Sequence, residues 1–211
     1  MINNHRLKYW ISPFYLQELT IQKLAQRFSL QKPFPYLELP HFFLEEKVKA
    51  IVNALIEEQF VAQEADLFKF KQTGDIVGSR NNTLQEFRQF LCSTEFVSYL
   101  TQIISTSLKA NSVDMAGTFY DNTDFLLCHD DLLEGRKIAY FLYLSDLHKN
   151  DGGALNLFAS EHKQPTEIAA TIIPKFNTFA FFLVSEKSFH EVAEVVRDVP
   201  RIAISGWFHD Q

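Results

Sequence analysis

The chain has 211 residues, 46% of them hydrophobic and 14% aromatic, with a formal net charge of −6 at neutral pH. This composition is typical of one globular domain with a sizeable core, and it excludes a disordered chain. General nucleic-acid binders carry a basic face, and none is evident in the sequence, so we expect no direct contact with nucleic acid.

The sequence also limits the expected cellular location. No apolar run reaches the ~18 residues of a membrane span, so we expect no membrane partner. The N-terminal residues, MINNHRLKYWISPFY, lack the uninterrupted apolar core of a signal peptide. Cys92 and Cys128 have no CxxC spacing, which argues against a structural zinc site and fits reduced thiols. We therefore expect a cytoplasmic protein, or a nuclear one if the source is eukaryotic.

The first half of the chain predicts mainly helices. Residues 1–33 are interpreted as a variable N-terminal arm with one short amphipathic helix, LQELTIQKLAQRF, and residues 34–211 as the domain itself. The stretch KPFPYLELPHFF, which leads into the domain, predicts an extended entry strand punctuated by prolines. Apolar residues at helical spacing follow in LEEKVKAIVNALIEEQF. The stretch NNTLQEFRQFLCSTEFVSYLTQIIS predicts two helices that separate near Ser93 and Thr94, where a new N-cap is available.

A polar segment, DLFKFKQTGDIVGSRNN, lies between these predicted helices. We interpret it as a flexible loop. Loops of this kind often cover active sites, but an ordinary long connection would have the same composition, and the sequence leaves both interpretations open.

Beyond Val113, short β-rich runs separated by turn residues replace the helical pattern. The runs are DMAGTFY, DFLLCHD, KIAYFLYLS, GALNLFAS, TIIPKFNTFAFFLVS, FHEVAEVV and RIAISGWFH. They predict roughly seven or eight strands. Helices followed by many short strands indicate an α+β fold, mainly β, which we expect to be a β-sandwich or jelly roll with N-terminal supporting helices.

One apolar run is interrupted by a histidine and two carboxylates. Residues two apart on a strand share a face, so His129 and Asp131 can reach one metal ion while Asp130 points away. We expect His190 to be the third ligand, because it begins a late strand that can lie beside an early one in a jelly roll. The alternatives are His5, His41, His148, His162 and His209. Two histidines and one carboxylate form the open facial triad of non-haem Fe(II) oxygenases.

An iron site with open positions needs a co-substrate, and Arg201 indicates which one. This arginine follows His190 in the strand-like run RIAISGWF. An arginine in a buried strand requires an anion, and its planar fork matches a carboxylate bidentately. The far carboxylate of 2-oxoglutarate would suit it, while the 2-oxo acid end of that molecule chelates iron.

These residues lie in longer stretches that resemble the 2-oxoglutarate- and Fe(II)-dependent prolyl hydroxylases, and within them the Tpa1/Ofd1 group of ribosomal prolyl hydroxylases. The matching stretches are ADLFKFKQTGDI, LLCHDDLLEGRKIAYFLYLSD, GGALNLF, IIPKFNTFAFFLVS, SFHEVAEV and RIAISGWFH. They fall between Phe34 and His209, so the resemblance covers nearly the whole chain, as a catalytic domain only.

The resemblance implies a double-stranded β-helix, or jelly-roll, core and a dioxygenase that uses Fe(II), 2-oxoglutarate and O₂, with ascorbate supporting its activity. His129, Asp131 and His190 match the iron ligands of the family. Arg201 matches the arginine that binds the distal carboxylate of 2-oxoglutarate.

Four further residues match positions around the co-substrate. Tyr143, in FLYLS, matches the tyrosine that shares the distal carboxylate with the arginine. Tyr120, in TFYDN, matches a pocket tyrosine near the iron-chelating end. Ser205 and Trp207 match residues beside the co-substrate.

The resemblance also implies a substrate, namely a prolyl residue of a protein, hydroxylated with release of succinate and CO₂. In the eukaryotic group this is ribosomal protein uS12, and related bacterial enzymes act on an elongation factor. Eukaryotic members carry a second, catalytically silent jelly roll, whereas this chain stops at Gln211, so we expect either an excised catalytic domain or a single-domain member. The alternatives are a hydroxylase of a small molecule or free amino acid, and a non-catalytic metal-binding jelly-roll module.

Overall fold

The computed structural model describes residues 4–210, in which a layer of helices packs against an antiparallel β-structure. The helices are α1 (Asn4–Trp10), α2 (Glu18–Leu30), α3 (Glu45–Leu55), α4 (Asn82–Leu91) and α5 (Thr94–Ile104). The strands are β1 (Tyr36–Pro40), β2 (Val61–Ala65), β3 (Phe68–Gln72), β4 (Ala116–Tyr120), β5 (Phe125–His129), β6 (Arg136–Tyr143), β7 (Leu155–Glu161), β8 (Gln164–Ile172), β9 (Thr178–Leu183), β10 (His190–Val192) and β11 (Arg201–His209). Among these residues no helix is long and apolar enough to cross a membrane.

The strands form a jelly roll. They pair antiparallel in the order β1-β9-β6-β11-β4-β3-β5-β10-β7-β8, with β2 beside β3. Strand β3 pairs with both β4 and β5, so it joins one half of the sheet, β1-β9-β6-β11-β4, to the other, β5-β10-β7-β8. From β4 to β11 the chain crosses repeatedly between the two halves. The predicted α+β, mainly β fold with a jelly-roll core is therefore confirmed, as are the eight strands beyond Val113.

Strand alternation divides the apolar residues of β6 between two cores. On β6, Ile138, Tyr140 and Leu142 belong to the larger core beneath the helices, while Ala139 and Tyr143 belong to a smaller core between the two halves of the sheet. Successive residues of a strand face opposite sides, which is why the continuous run KIAYFLY serves both cores. The smaller core lies beside the candidate functional site.

The N-terminal residues contribute to the larger core. Four of these residues are buried. Trp10 is the last residue of α1, Ile11 follows it, and Leu24 and Phe28 lie on α2. Helix α2 was predicted and is present, whereas α1 had no clear sequence signal because it is short. The boundary proposed at residue 34 remains a prediction, although the described part of the arm packs onto the domain.

Helices α4 and α5 separate where the sequence predicted. The Ser93 hydroxyl accepts a hydrogen bond from the Phe96 backbone N–H at 3.2 Å and caps α5. Asn81 caps α4 in the same way through the Thr83 backbone N–H at 3.0 Å. Each cap satisfies a backbone donor that the first turn of a helix leaves without an intrahelical partner.

The segment interpreted as a flexible loop contains strand β3, so the interpretation was wrong for Phe68–Gln72. Strands β2 and β3 form a hairpin, and β3 is hydrogen-bonded into the main sheet. The alternation of FKFK in this segment is the two-residue period of a strand, with Phe68 and Phe70 on one face. Phe70 stacks on Tyr120 with ring centroids 5.0 Å apart, which anchors the hairpin beside the candidate site.

Candidate metal centre

The structure brings the three predicted ligands together. His129 ends β5 and lies directly opposite His190, the first residue of β10. Asp131 places Oδ1 at 3.4 Å from His129 Nε2 and Oδ2 at 3.5 Å from His190 Nε2. In residues 4–210, this is the one group of three or more acidic, histidine or cysteine side chains with ligand atoms close enough for one metal ion, all within 4.8 Å of each other.

Asp131 reaches this position by a turn, not by strand alternation as we expected. Strand β5 ends at His129, and Asp131 has a left-handed backbone with φ of 63°. Neighbouring contacts fix the turn: Asp130 Oδ1 accepts from the Leu132 backbone N–H at 3.0 Å, and the Ser188 hydroxyl donates to the Asp130 carbonyl at 2.8 Å. Asp130 thus acts in the turn, away from the three ligand atoms.

Backbone carbonyls orient both imidazoles. His129 Nδ1 lies 2.9 Å from the Leu127 carbonyl oxygen, and His190 Nδ1 lies 2.8 Å from the Ser188 carbonyl oxygen. A carbonyl can only accept, so Nδ1 of each ring is the protonated nitrogen and donates to it. Nε2 of each ring therefore faces Asp131 and, in the neutral ring, carries the lone pair that binds a metal ion.

The local electrostatics favour the charge states that a metal needs at His190 and Asp131. At His129 burial lowers the pKa, but the hydrogen bond and the charge of Asp131 outweigh it and raise this pKa above its usual value. Burial and, to a smaller extent, the charge of His129 together lower the pKa of His190 to about 4, so His190 is neutral at neutral pH. Burial would raise the pKa of Asp131, but hydrogen bonds from His129 and Trp207 and the charges of both histidines outweigh it and hold this pKa below its usual value. A neutral imidazole and an ionised carboxylate are the forms that bind metal ions.

Trp207 holds the carboxylate in place, and the structure adds Arg136 to the site. Trp207 Nε1 donates to Asp131 Oδ2 at 3.1 Å. The Arg136 guanidinium carbon lies 3.5 Å from the centroid of the indole, and its NH1 lies 3.7 Å from Asp131 Oδ1. Arg136 was not predicted, although it lies in the quoted stretch LEGR, because sequence spacing gives no sign of this stacking.

Replacing Trp207 with phenylalanine should weaken metal binding by about 10- to 100-fold, the usual cost of losing an outer partner of a ligand. Phenylalanine keeps an aromatic ring under Arg136 but cannot donate to Asp131. Isothermal titration calorimetry of the metal-free protein with Mn(II) measures the affinity. Trp10→Phe, a buried tryptophan in the helical layer, is the matched control and should bind Mn(II) like the wild type. Equal affinities of both variants would contradict this role of Trp207.

Arg201 forms the other end of the site and is almost completely buried, with 1% of its surface exposed. Its Nε donates to the Gly153 carbonyl at 2.9 Å, and its guanidinium carbon lies 4.9 Å from the Tyr120 ring and 5.3 Å from the Tyr143 ring. Arg201 NH2 and the Tyr143 hydroxyl are buried and have no hydrogen-bond partner. Buried donors are normally satisfied, and a buried cation needs a counter-charge, so this end is suited to an anion.

The two ends share one cavity. It is lined by all three candidate ligands and by Tyr120, Arg201, Ser205 and Trp207, together with Phe70 and Gln72 of the hairpin. The Tyr143 ring lies 5.3 Å from the Arg201 guanidinium carbon and is fully buried. Burial raises its pKa to about 12, partly offset by the charge of Arg201. The hairpin residues were missed because we interpreted their segment as a loop.

The donor groups of the cavity suit a metal ion with open coordination positions and a dicarboxylate bound together. Two imidazoles and one carboxylate supply three ligands on one side and leave further positions for a chelating co-substrate. The unsatisfied donors of Arg201 and Tyr143 supply the opposite end. A 2-oxo dicarboxylic acid has both the chelating and the anionic group that this arrangement can hold.

Comparison with known proteins gives a consistent result. The family model described as 2OG-Fe(II) oxygenase superfamily matches residues 115–209. The chain is 37% identical over 185 residues to prolyl 3-hydroxylase OGFOD1 of Xenopus laevis, a match that covers 84% of this chain and 35% of that protein. The chain therefore spans little more than a third of the length of this relative.

Two solved structures share the fold. A Pseudomonas putida prolyl-4-hydroxylase aligns with a TM-score of 0.71 and 18% identity, over 89% of this chain and 99% of that one. The second is a prolyl hydroxylase from Trichoplax adhaerens, in complex with a peptide fragment of the hypoxia inducible factor oxygen degradation domain. It aligns with a TM-score of 0.70 and 14% identity, over 92% of this chain and 94% of that one. At these identities the likeness supports the fold alone.

Proposed function

We propose that this protein, whose residues 115–209 match the 2OG-Fe(II) oxygenase superfamily, hydroxylates a prolyl residue of a protein substrate, with 2-oxoglutarate and O₂ consumed and succinate and CO₂ released. One observation carries the proposal. A triad of His129, Asp131 and His190 faces the same cavity as Arg201, whose buried NH2 has no partner.

Different residues would bind the metal ion, the co-substrate and the substrate. His129, Asp131 and His190 would hold Fe(II), which when bound supplies the oxidising chemistry that couples decarboxylation of 2-oxoglutarate to hydroxylation of a C–H bond. Arg201 and Tyr143 bind and orient the distal carboxylate. Correct placement of the reacting C–H bond is then the main task of the surrounding cavity.

Aromatic side chains form much of the cavity wall. Tyr120 is 3% exposed and lies between Phe70 and the Arg201 guanidinium. Trp207 and Arg136 close the side next to Asp131 and keep its carboxylate oriented. Ascorbate is proposed as a further supporting cofactor.

The substrate is proposed from the relatives, not from the cavity. The frog relative is named a prolyl 3-hydroxylase, so carbon 3 of the proline ring is the proposed position. We propose a protein segment as the substrate, like the peptide with which the Trichoplax enzyme was solved. We propose a ribosomal protein or a translation factor, in the cytoplasm, as the source of that segment.

The test measures succinate formed from 2-oxoglutarate by anaerobically purified protein with added Fe(II), before and after air is admitted. Proline-containing peptides from ribosomal proteins and elongation factors are then added and examined by mass spectrometry. We expect O₂-dependent succinate and a gain of about 16 Da, one oxygen atom, on a single proline.

Other outcomes would favour the alternatives. Succinate formation stimulated by free proline but by no peptide would indicate a small-molecule hydroxylase. Binding of Fe(II) and 2-oxoglutarate without succinate, with every peptide tested, would favour a non-catalytic metal-binding module. Failure to bind Fe(II) at all would refute the assignment of the triad.

A further inference from the structure

Thr178, the first residue of β9, carries a buried hydroxyl that none of the roles above explains. It is 1% exposed, and its Oγ1 has no hydrogen-bond partner. In residues 4–210 the buried side-chain nitrogen and oxygen atoms without a hydrogen-bond partner are Arg88 Nε, Tyr143 OH, Thr178 Oγ1 and Arg201 NH2. Arg88 lies on α4, but the other three lie on the adjacent strands β9, β6 and β11.

Strand register places these three residues together. Thr178 is directly opposite Tyr143 on β6, and Tyr143 is in turn opposite Ala203 on β11. Side chains of directly opposed residues in an antiparallel pair lie on the same face, with Cβ atoms about 4.5–5.5 Å apart. Arg201 lies two residues before Ala203 and therefore shares this face as well.

The same face of β9 looks into the proposed active site. Ala180 and Phe182 follow Thr178 at two-residue intervals and belong, like Tyr143, to the smaller core. The Phe182 ring lies 4.6 Å from the His190 ring, centroid to centroid. Thr178 is thus at the far end of a row of inward-facing residues that begins beside the candidate metal ligand.

The backbone at Thr178 is fixed by its neighbours. Asn177, with φ of 57°, accepts from the Phe43 backbone N–H at 3.2 Å and donates to the Phe43 carbonyl at 2.8 Å. The Thr178 backbone N–H donates to the Lys175 carbonyl at 3.1 Å. The backbone is therefore held firmly, and the side-chain hydroxyl is the group that lacks a partner.

We propose that the Thr178 hydroxyl is a third donor to the distal carboxylate of the 2-oxo dicarboxylic acid, beside Arg201 NH2 and the Tyr143 hydroxyl. A carboxylate has about four acceptor positions, so these donors can bind it together. The inference rests on the proposed function and adds a residue that selects a dicarboxylic co-substrate over 2-oxo acids with an apolar tail.

Thr178→Val tests the proposal, because valine keeps the shape and the strand preference of threonine but removes the hydroxyl. Protein loaded with Mn(II), which prevents turnover, is titrated with 2-oxoglutarate and with 2-oxopentanoate, which has the same chain length but lacks the distal carboxylate. We expect the Kd of 2-oxoglutarate to rise about tenfold, equivalent to about 1.4 kcal/mol, with no change for 2-oxopentanoate. Thr178→Ser should restore the affinity for 2-oxoglutarate.

The controls separate this inference from the proposed function. Thr20→Val, at a buried threonine of α2, should leave both Kd values unchanged. Wild-type protein that binds 2-oxoglutarate, together with a Thr178→Val variant of the same affinity, would overturn only the role of Thr178. An equal loss for both ligands would also overturn it. Wild-type protein that fails to bind 2-oxoglutarate would overturn both proposals.

Discussion

Replacing Asp131 with alanine should reduce O₂-dependent succinate formation by more than about 100-fold, because even outer partners of metal ligands cost 10- to 100-fold when removed. The substitution leaves His129 and His190 without the carboxylate that lies 3.4 Å and 3.5 Å from their Nε2 atoms. Two neutral imidazoles would then have to hold Fe(II) without a charge to offset that of the metal. Succinate assays, with Mn(II) affinity measured in parallel, report both consequences.

Asp130→Ala is the matched control, since it removes a carboxylate from the adjacent residue. Asp130 contacts the Leu132 backbone N–H and does not belong to the three-residue cluster. Loss of this side-chain contact should cost about 1 kcal/mol of folding stability, as for a helix cap. Most of the activity should remain, because the Ser188 hydroxyl still bonds the Asp130 carbonyl and holds the turn. An Asp131→Ala variant that keeps more than a tenth of wild-type turnover would refute Asp131 as a ligand.

The candidate site could be predicted from the sequence where the residues obey simple periodicity. His129 and His190 lie on strands that the apolar runs predicted, and their pairing follows from jelly-roll connectivity. Asp131 was placed correctly for a partly wrong reason, because a left-handed residue after the end of β5, and not alternation along it, turns the carboxylate inward. Aspartate adopts this backbone conformation more readily than most residues, which explains why the sequence tolerates it here.

Contacts that depend on side-chain packing could not be predicted in this way. The stacking of Arg136 on Trp207 and the row formed by Thr178 and Tyr143 need the strand order and register, which a single sequence does not supply. The β2–β3 hairpin was missed for a different reason. Lysines between the phenylalanines of FKFK made the segment look solvated, although alternation of this kind is typical of a half-buried strand.

Replacing Arg201 with glutamine should weaken 2-oxoglutarate binding by at least about 30-fold, since removing one partner of a buried, hydrogen-bonded charge pair costs about 2–5 kcal/mol. Arg201 has the charge and the fork geometry for a carboxylate, and its NH2 has no partner within the protein. Glutamine keeps a polar side chain but has neither property. Mn(II) affinity should stay near the wild-type value, because Arg201 is not part of the metal cluster.

Thermal unfolding with and without 2-oxoglutarate gives a second readout. A ligand that binds only the folded state stabilises it in proportion to the logarithm of its concentration over Kd, so the variant should lose most of the shift in Tm. Arg88→Gln is the control, because Arg88 also has a buried unsatisfied nitrogen but lies on α4. That variant should change the Tm of the ligand-free protein and keep the full shift with 2-oxoglutarate. If Arg201→Gln kept the shift as well, the distal carboxylate would have to bind elsewhere, and the cavity between the two halves of the jelly roll would need another explanation for its buried cation.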